Sequence, residues 1–138
     1  MTAAAASGAA LPVRPGEQPW TQDELAQVRA QLAAEAAELR TDIERAESDM
    51  ASRLRDTTGD AGDDPADLGA KTFEREHELV LTHNARELLA QTEHALERIE
   101  AGTYGTCESC GEPIGKARLQ AFPRAVLCVS CKQREERR

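Results

Sequence analysis

Four cysteines in two identical C-x-x-C pairs constrain this 138-residue chain more than any other feature of its sequence. Cys107 and Cys110 form the first pair, Cys128 and Cys131 form the second, and 17 residues separate the two pairs. This spacing is typical of a site in which four thiolates surround one zinc ion. Because four sulfur ligands leave no position for a water molecule, we expect a structural rather than a catalytic zinc. The alternative is a pair of redox-active disulfides, which zinc spacing in two equal pairs does not favour.

Bulky apolar side chains are scarce in this chain. Hydrophobic residues make up 40% of it, but 24 of them are alanines and only four side chains are aromatic. Large side chains supply most of the energy of burial, so the chain cannot build the deep core around a pocket that most enzymes need. We therefore expect no enzyme, and the Ala, Glu, Arg and Leu bias indicates long packed helices instead.

The first helix is predicted from a start signal and a regular apolar pattern. Thr21 and Glu24 form a capping box, in which each side chain accepts a backbone N–H of the other residue. No Gly or Pro interrupts the chain from Thr21 to Leu54. Apolar residues recur at steps of three and four, the spacing of one helix face; they are Leu25, Val28, Leu32, Ala36, Leu39, Ile43, Ala46, Met50 and Leu54.

A turn and a second helix follow. Residues 56–70 contain three glycines, one proline and five aspartates without a basic residue, which indicates an acidic turn. The second apolar pattern runs to Gly102, a residue suited to ending a helix; its members are Leu81, Ala85, Leu88, Thr92, Ala95 and Ile99. The predicted fold is mostly α: a long antiparallel coiled-coil hairpin, a small four-cysteine zinc-finger globular region and a short C-terminal helix.

Charge and composition divide the chain into three parts. We predict a disordered Ala/Pro-rich leader over residues 1–20, a coiled coil with its acidic tip over 21–102, and the zinc finger with the C-terminal helix over 103–138. Residues 21–100 carry 9 basic and 20 acidic side chains, whereas residues 101–138 carry 7 and 4. The acidic character of residues 21–100 argues against duplex DNA as the main partner, because binding phosphates requires clustered Lys and Arg. We also expect no membrane span and a cytoplasmic location.

The segment from Tyr104 to Lys132, YGTCESCGEPIGKARLQAFPRAVLCVSCK, closely resembles the zinc-finger signature of the DksA/TraR family of bacterial transcription regulators. Together with the aspartate-rich tip, the resemblance extends over about residues 21–135. It implies a monomeric protein without sequence-specific DNA binding that binds RNA polymerase. In this family the coiled coil enters the secondary channel, and its tip modulates the stability of open promoter complexes.

The resemblance also implies roles for residues at the tip and near the zinc. Asp64 and Asp67 match the two aspartates of the family's tip motif, Asp-x-x-Asp-x-Ala, and Gly69 stands where the motif has alanine. Members that act in the stringent response hold the phosphates of guanosine tetraphosphate with basic side chains. The corresponding positions here are Gln91, Phe122 and Lys132. Since only Lys132 is basic, we do not expect the standard alarmone site to hold the nucleotide.

Two other functions are compatible with a four-cysteine zinc site. A zinc ribbon can bind DNA directly, although residues 101–138 carry a net charge of only +3. A zinc–thiolate centre can also act as a redox sensor that releases the metal on oxidation. For the tip, the residues alone leave open whether the aspartates contact a partner or only form turns.

Overall fold

The computed structural model describes residues 11–56 and 64–137, and it is mostly helical. These ranges contain four α-helices: α1 (Gln22–Asp56), α2 (Pro65–Ala101), α3 (Lys116–Ala121) and α4 (Val129–Glu136). The β-pairing within the described ranges is one isolated antiparallel bridge between Thr106 and Pro113. This architecture confirms the predicted fold class. Within the same ranges, no helix combines the length and the apolar character needed to cross a bilayer.

The chain divides into two compact units, and both long helices contribute to each of them. The base unit contains the described residues of Met1–Glu35 together with those of Gln91–Arg138, and the hairpin unit contains those of Ala36–Ala90. The base unit has the larger apolar core, and all four cysteines belong to it.

The start of α1 has the predicted capping box. The Thr21 N–H donates to Glu24 Oε1 at 2.9 Å, and the Glu24 N–H donates to Thr21 Oγ1 at 3.0 Å. Three residues of the predicted apolar face, Leu25, Val28 and Leu32, are buried in the base unit. They pack in one cluster with Ala95 and Ile99 of α2 and with residues of the cysteine region.

In the hairpin unit the two helices run antiparallel, as their ion pairs show. Arg53 of α1 pairs with Glu78 of α2. Glu47, which lies six positions before Arg53, pairs at 3.3 Å with Arg86, which lies eight positions after Glu78. Residue numbers that fall on one helix as they rise on the other indicate antiparallel neighbours.

The buried face of α2 in the hairpin unit differs from the predicted one. Leu81 is 54% exposed and Leu88 is 37% exposed, whereas Thr82 is only 4% exposed. On α1, the last predicted apolar position, Leu54, is 64% exposed. Hydrophobicity favours Leu81 over Thr82 as the inward residue. Because a helix rotates by about 100° per residue, the two neighbours cannot both face inward, and in the structure the inward position belongs to Thr82.

The acidic segment also differs from the prediction, because helix α2 begins within it. Asp64 caps this helix: its Oδ1 accepts the Asp67 N–H at 2.8 Å, and its carbonyl accepts the Leu68 N–H at 3.1 Å. Pro65 is the first helical residue. Proline has no backbone N–H, and at this position the helix does not need one. Composition predicts a turn over residues 64–70, but the structure has a helix cap followed by the start of α2 there. Residues 57–63 lie outside the described ranges.

Residues 11–20 are packed, contrary to the expected disorder. Leu11 is 5% exposed and Trp20 is 2% exposed, and both belong to the core cluster of the base unit. Two apolar anchors and a set of hydrogen bonds offset the entropy cost of ordering such a segment, which composition alone does not reveal. The rest of the predicted leader, residues 1–10, lies outside the described ranges.

Candidate metal centre

The first cysteine pair lies on a tight turn stabilised by its own backbone. The Cys107 N–H donates to the Glu112 carbonyl at 2.8 Å, and the Gly111 N–H donates to the Cys107 carbonyl at 3.0 Å. Gly111 has a φ of +79°, a left-handed conformation that side chains with a Cβ rarely adopt. The glycine after Cys110 thus lets the chain reverse immediately behind the pair.

The second cysteine pair is positioned by the start of α4. Cys128 is the N-cap residue of this helix, and its carbonyl accepts the Lys132 N–H at 2.9 Å. Cys131 lies in the first turn and is 5% exposed. The helix geometry therefore brings the two sulfurs of Cys128 and Cys131 to the same side.

The four cysteine sulfurs all lie within 4.8 Å of one another, and the Cys110 and Cys128 sulfurs are 3.8 Å apart. A tetrahedral zinc site with Zn–S bonds of about 2.3 Å requires sulfur–sulfur separations of about 3.8 Å. Cys107, Cys128 and Cys131 are buried, whereas Cys110 is exposed. The donor set and its dimensions therefore fit one zinc ion with four thiolate ligands.

The surrounding backbone favours ionised thiols at two of these positions. Burial raises the pKa of Cys107, but N–H donors of Cys110, Cys128 and Ser109 outweigh burial and lower its pKa to about 6. The Cys131 N–H is the main cause of the lowered pKa of Cys128. Since zinc binds the thiolate form, these donors favour metal binding.

Cys110 has the opposite shift. The Glu112 N–H lowers its pKa, but burial and the hydrogen bonds with the other three cysteine sulfurs outweigh that donor and raise its pKa to about 11. Several thiolates so close together repel one another, and a divalent cation at their centre offsets that repulsion. The arrangement is thus suited to a metal ion.

Polar contacts hold the first cysteine turn against α2. Arg98 is only 9% exposed, and its Nη2 donates to the carbonyls of Thr103 at 2.7 Å and Thr106 at 2.6 Å. Its Nη1 lies 3.4 Å from Glu108, which also contacts His94 at 2.5 Å. Sequence reasoning missed Arg98, because a charged residue beside Ile99 gives no signal that it is buried.

A buried tyrosine connects the start of the zinc region to the loop that follows α3. Tyr104 is 1% exposed, and its hydroxyl donates to the Pro123 carbonyl at 2.9 Å. Burial raises the pKa of the Tyr104 hydroxyl, so it stays a neutral hydrogen-bond donor. The aromatic ring fills the core beside Trp20 at a centroid distance of 6.2 Å.

The remaining candidate residues lie on exposed surfaces. Asp64 caps α2 and Asp67 lies in its first turn. Gly69 follows within the helix, with nothing within 4 Å of the place where a Cβ would be. The three candidate alarmone positions lie in the base unit and are all exposed: Gln91 on α2, Phe122 after α3 and Lys132 on α4. The structure therefore brings the cysteines into one site and leaves the other candidates at the surface.

Comparison with known proteins agrees with this arrangement. Residues 102–137 match the family model described as "Prokaryotic dksA/traR C4-type zinc finger". The chain is 34% identical over 119 residues to the RNA polymerase-binding transcription factor DksA of Escherichia coli (strain K12), a match that covers 86% of this chain and 76% of that protein. The chain belongs to the DksA/TraR family. The one structural zinc expected from the cysteine pairs is confirmed by the family match and by the cysteine geometry.

Two further DksA proteins extend the comparison. The RNA polymerase-binding transcription factor DksA of Caulobacter vibrioides (strain NA1000 / CB15N) is 44% identical over 75 residues, and the match spans 54% of this chain but only 53% of that relative. The structure of the transcription factor DksA2 from Pseudomonas aeruginosa superposes with a TM-score of 0.66 at 35% identity. That superposition covers 83% of this chain and 84% of the DksA2 chain.

Proposed function

We propose that this protein binds RNA polymerase and regulates transcription initiation without catalysing a reaction itself. The observation that carries the proposal is the match over 86% of the chain to a DksA named as an RNA polymerase-binding transcription factor. The two long helices and the four-cysteine cluster of this chain also support the proposal. We further propose that the protein acts in the cytoplasm as a monomer.

The zinc is proposed to be held by Cys107, Cys110, Cys128 and Cys131. When bound, it cross-links two turns that are 17 residues apart in the sequence and so stabilises the base unit. Four thiolates leave no open position, so this zinc cannot activate water. Its role in the proposed function is to fix the surface that docks on the polymerase.

The two tip carboxylates are proposed to act on the polymerase by their charge. Asp64 and Asp67 are both exposed, and they lie at the start of α2. We propose that this end of the helix enters the secondary channel, where the carboxylates meet basic groups or the shell of a Mg²⁺ ion. Asp64 then has two uses, because the same carboxylate also caps α2.

Replacing both tip aspartates by asparagine tests this proposal. Asparagine caps a helix about as well as aspartate does, so Asp64→Asn with Asp67→Asn removes two charges and leaves the fold intact. We expect unchanged helicity and unchanged binding to core polymerase in a pull-down, but a loss of most of the effect on open-complex lifetime. The matched control is Asp23→Asn, which removes one charge from the first turn of α1.

Each outcome of that experiment has a clear meaning. If the double variant changes open-complex lifetime as the wild type does, the aspartates only start the helix and the tip assignment is wrong. If the zinc-loaded wild type does not bind core polymerase, the proposed function itself is wrong. A promoter-DNA shift that persists without polymerase would support the zinc-ribbon alternative instead.

We propose that the regulation is independent of guanosine tetraphosphate. The Gln91 amide and the Phe122 ring carry no positive charge, so neither forms an ion pair with phosphate. Phe122 has the Arg118 guanidinium 5.8 Å from its ring centroid. Lys132 has a carboxylate, that of Glu135, 3.8 Å away. A measurement with labelled guanosine tetraphosphate on the complex with polymerase is expected to show no added binding over polymerase alone.

A further inference from the structure

The segment of residues 11–20, which we call the strap, is bound to the cysteine region at several points. Leu11 and Trp20 anchor its two ends in the core of the base unit. Lys116 Nζ donates to the carbonyls of Gln18 and Pro19 at 3.4 and 3.3 Å. The strap therefore lies on residues that follow it by about 100 positions.

The central contact is made by Glu17 with the start of α3. Its Oε1 accepts the Lys116 N–H at 2.9 Å, and its Oε2 accepts the Ala117 N–H at 3.0 Å. The same Oε1 accepts the Arg14 N–H at 2.9 Å. The N-cap residue of α3 is Gly115, which has no side chain, so Glu17 supplies a cap that the local sequence lacks. The Ala117 N–H is the main cause of the lowered pKa of Glu17.

Two glycines allow the strap to lie this close. Gly115 has a φ of +112°, and a Cβ built there would be 3.1 Å from the Cδ of Arg14. Gly105 has a φ of +95°, and its Cβ would be 3.7 Å from Pro12. A side chain at either place would be strained by its φ, and one at Gly115 would also crowd Arg14 of the strap.

The strap also borders the cysteine cluster. Arg14 and Pro15 line a cleft of about 390 Å³ together with Cys110 and Cys128. Cys110 is the exposed member of the cluster. The strap therefore lies beside one approach to the cysteine cluster.

We propose that the strap retains the zinc, and that Glu17 is the positioning residue through which it does so. α3 lies within the 17 residues that connect the two cysteine pairs, so a carboxylate that fixes the start of α3 also fixes the distance between the pairs. Arg14 and Pro15 line the cleft that leads to Cys110. The inference rests on the proposed assignment of the four cysteines as zinc ligands.

The test measures zinc release from the full-length zinc-loaded protein to an excess of a coloured chelator. In Glu17→Gln the amide keeps the length of the side chain but loses the charge. Because hydrogen bonds to a charged acceptor are stronger than those to a neutral one, the α3 cap is weakened, and zinc release is expected to accelerate by about tenfold. Arg14→Ala opens the cleft without altering the α3 cap and is expected to accelerate release several-fold. Hydrogen exchange at the Lys116 and Ala117 amides is expected to rise in Glu17→Gln only.

Two controls separate zinc retention from general stability. Glu97→Gln removes an exposed carboxylate of α2 in the same unit and is expected to release zinc at the wild-type rate. Val28→Ala weakens the same core without changing Glu17, so its release rate shows how far stability alone affects the metal.

Three results would overturn the proposal. The first is faster exchange at Ala117 with unchanged zinc release in Glu17→Gln. The second is a release rate in Val28→Ala that, at equal loss of stability, equals that of Glu17→Gln. The third is unchanged release in both Glu17→Gln and Arg14→Ala. A wild-type protein that binds no zinc would instead contradict the ligand assignment.

Discussion

Glu24 connects the start of α1 to the zinc region through one carboxylate. Its Oε1 accepts the Thr21 N–H at 2.9 Å and lies 2.7 Å from Lys116 Nζ, while its Oε2 accepts the Gln120 amide at 3.3 Å. The hydrogen bond from Lys116 is the largest cause that lowers the pKa of Glu24, to about 2, and the Thr21 N–H is the next. The ionised form is therefore the one that the folded chain stabilises.

The pH dependence of stability follows from this shift. A carboxyl group whose pKa falls on folding stabilises the protein above its unfolded pKa, here 4.5, and loses that contribution as the pH falls toward 2. We expect the wild type to lose more stability than Glu24→Gln between pH 5 and pH 2. Urea unfolding of both proteins over this range checks the difference, since acid-induced loss of zinc is common to both. Parallel curves would show that Glu24 does not contribute.

The capping box shows what was predictable at the level of single residues. The Thr21–Glu24 pair follows from sequence spacing, and the structure has both of its hydrogen bonds. The Lys116 partner does not follow, because 92 positions separate it from Glu24 and nothing in the local sequence links them. The same reason hid Glu17, whose partners lie 99 and 100 positions away.

At the scale of the helices, the depth of burial differs between neighbouring apolar positions. Leu32 of α1 is fully buried, whereas Leu81 of α2 is 54% exposed. Leu32→Ala should lower the free energy of unfolding by about 2 to 5 kcal/mol, the usual range for a buried leucine, and Leu81→Ala by less than about 1 kcal/mol. Urea titration of zinc-loaded protein measures both. If both variants lose the same free energy of unfolding, Leu81 is as buried as Leu32 and the assignment of the exposed face is wrong.

Gly69 offers a second test at this scale, because it lies inside α2 and nothing lies within 4 Å of the place where a Cβ would be. Alanine is favoured over glycine in a helix interior by up to about 1 kcal/mol, so Gly69→Ala should stabilise the hairpin unit. Amide exchange at the start of α2 is the measurement. The matched control is Gly102→Ala: Gly102 has a φ of +77° at the end of α2, so the same change there should destabilise.

The helices themselves were largely predictable, whereas their inward faces were only partly so. On α1 the apolar spacing is regular enough to assign the buried face from Leu25 to Ile43. On α2 the inward position is held by Thr82, and hydrophobicity does not predict a buried threonine. Its hydroxyl donates to the Glu78 carbonyl at 2.9 Å, which makes its burial tolerable.

At the scale of the whole molecule, the metal and the core of the base unit depend on each other. Cys107, Cys128 and Cys131 belong to the same buried cluster as Trp20 and Tyr104. We expect Cys107→Ser and Cys128→Ser each to lose the zinc and to expose Trp20, because a site lacking one thiolate holds the ion poorly. Zinc stoichiometry and the emission wavelength of Trp20, the only tryptophan, are the measurements. Full zinc content in both variants would contradict the assignment.

The metal centre was predictable to a degree that the strap was not. Zinc requires a fixed number of ligands in a fixed geometry, so the ligands can be predicted from the spacing of the two C-x-x-C pairs. The strap is held by two apolar anchors and one carboxylate, and such sparse contacts have no periodicity. Its three prolines, which follow an alanine-rich segment, are therefore typical of a disordered leader.

The distance in sequence between Glu17 and Ala117 has a consequence for biosynthesis. The nascent chain leaves the ribosome at about 5–20 residues per second, so roughly 5 to 20 s pass between the emergence of these two partners. During that interval Leu11 and Trp20 have no core to enter, and such long-range closure is slow compared with helix formation. Because the cysteine region is synthesised last, co-translational assembly of the base unit has to end with it. We therefore expect metal loading to be a late step of maturation.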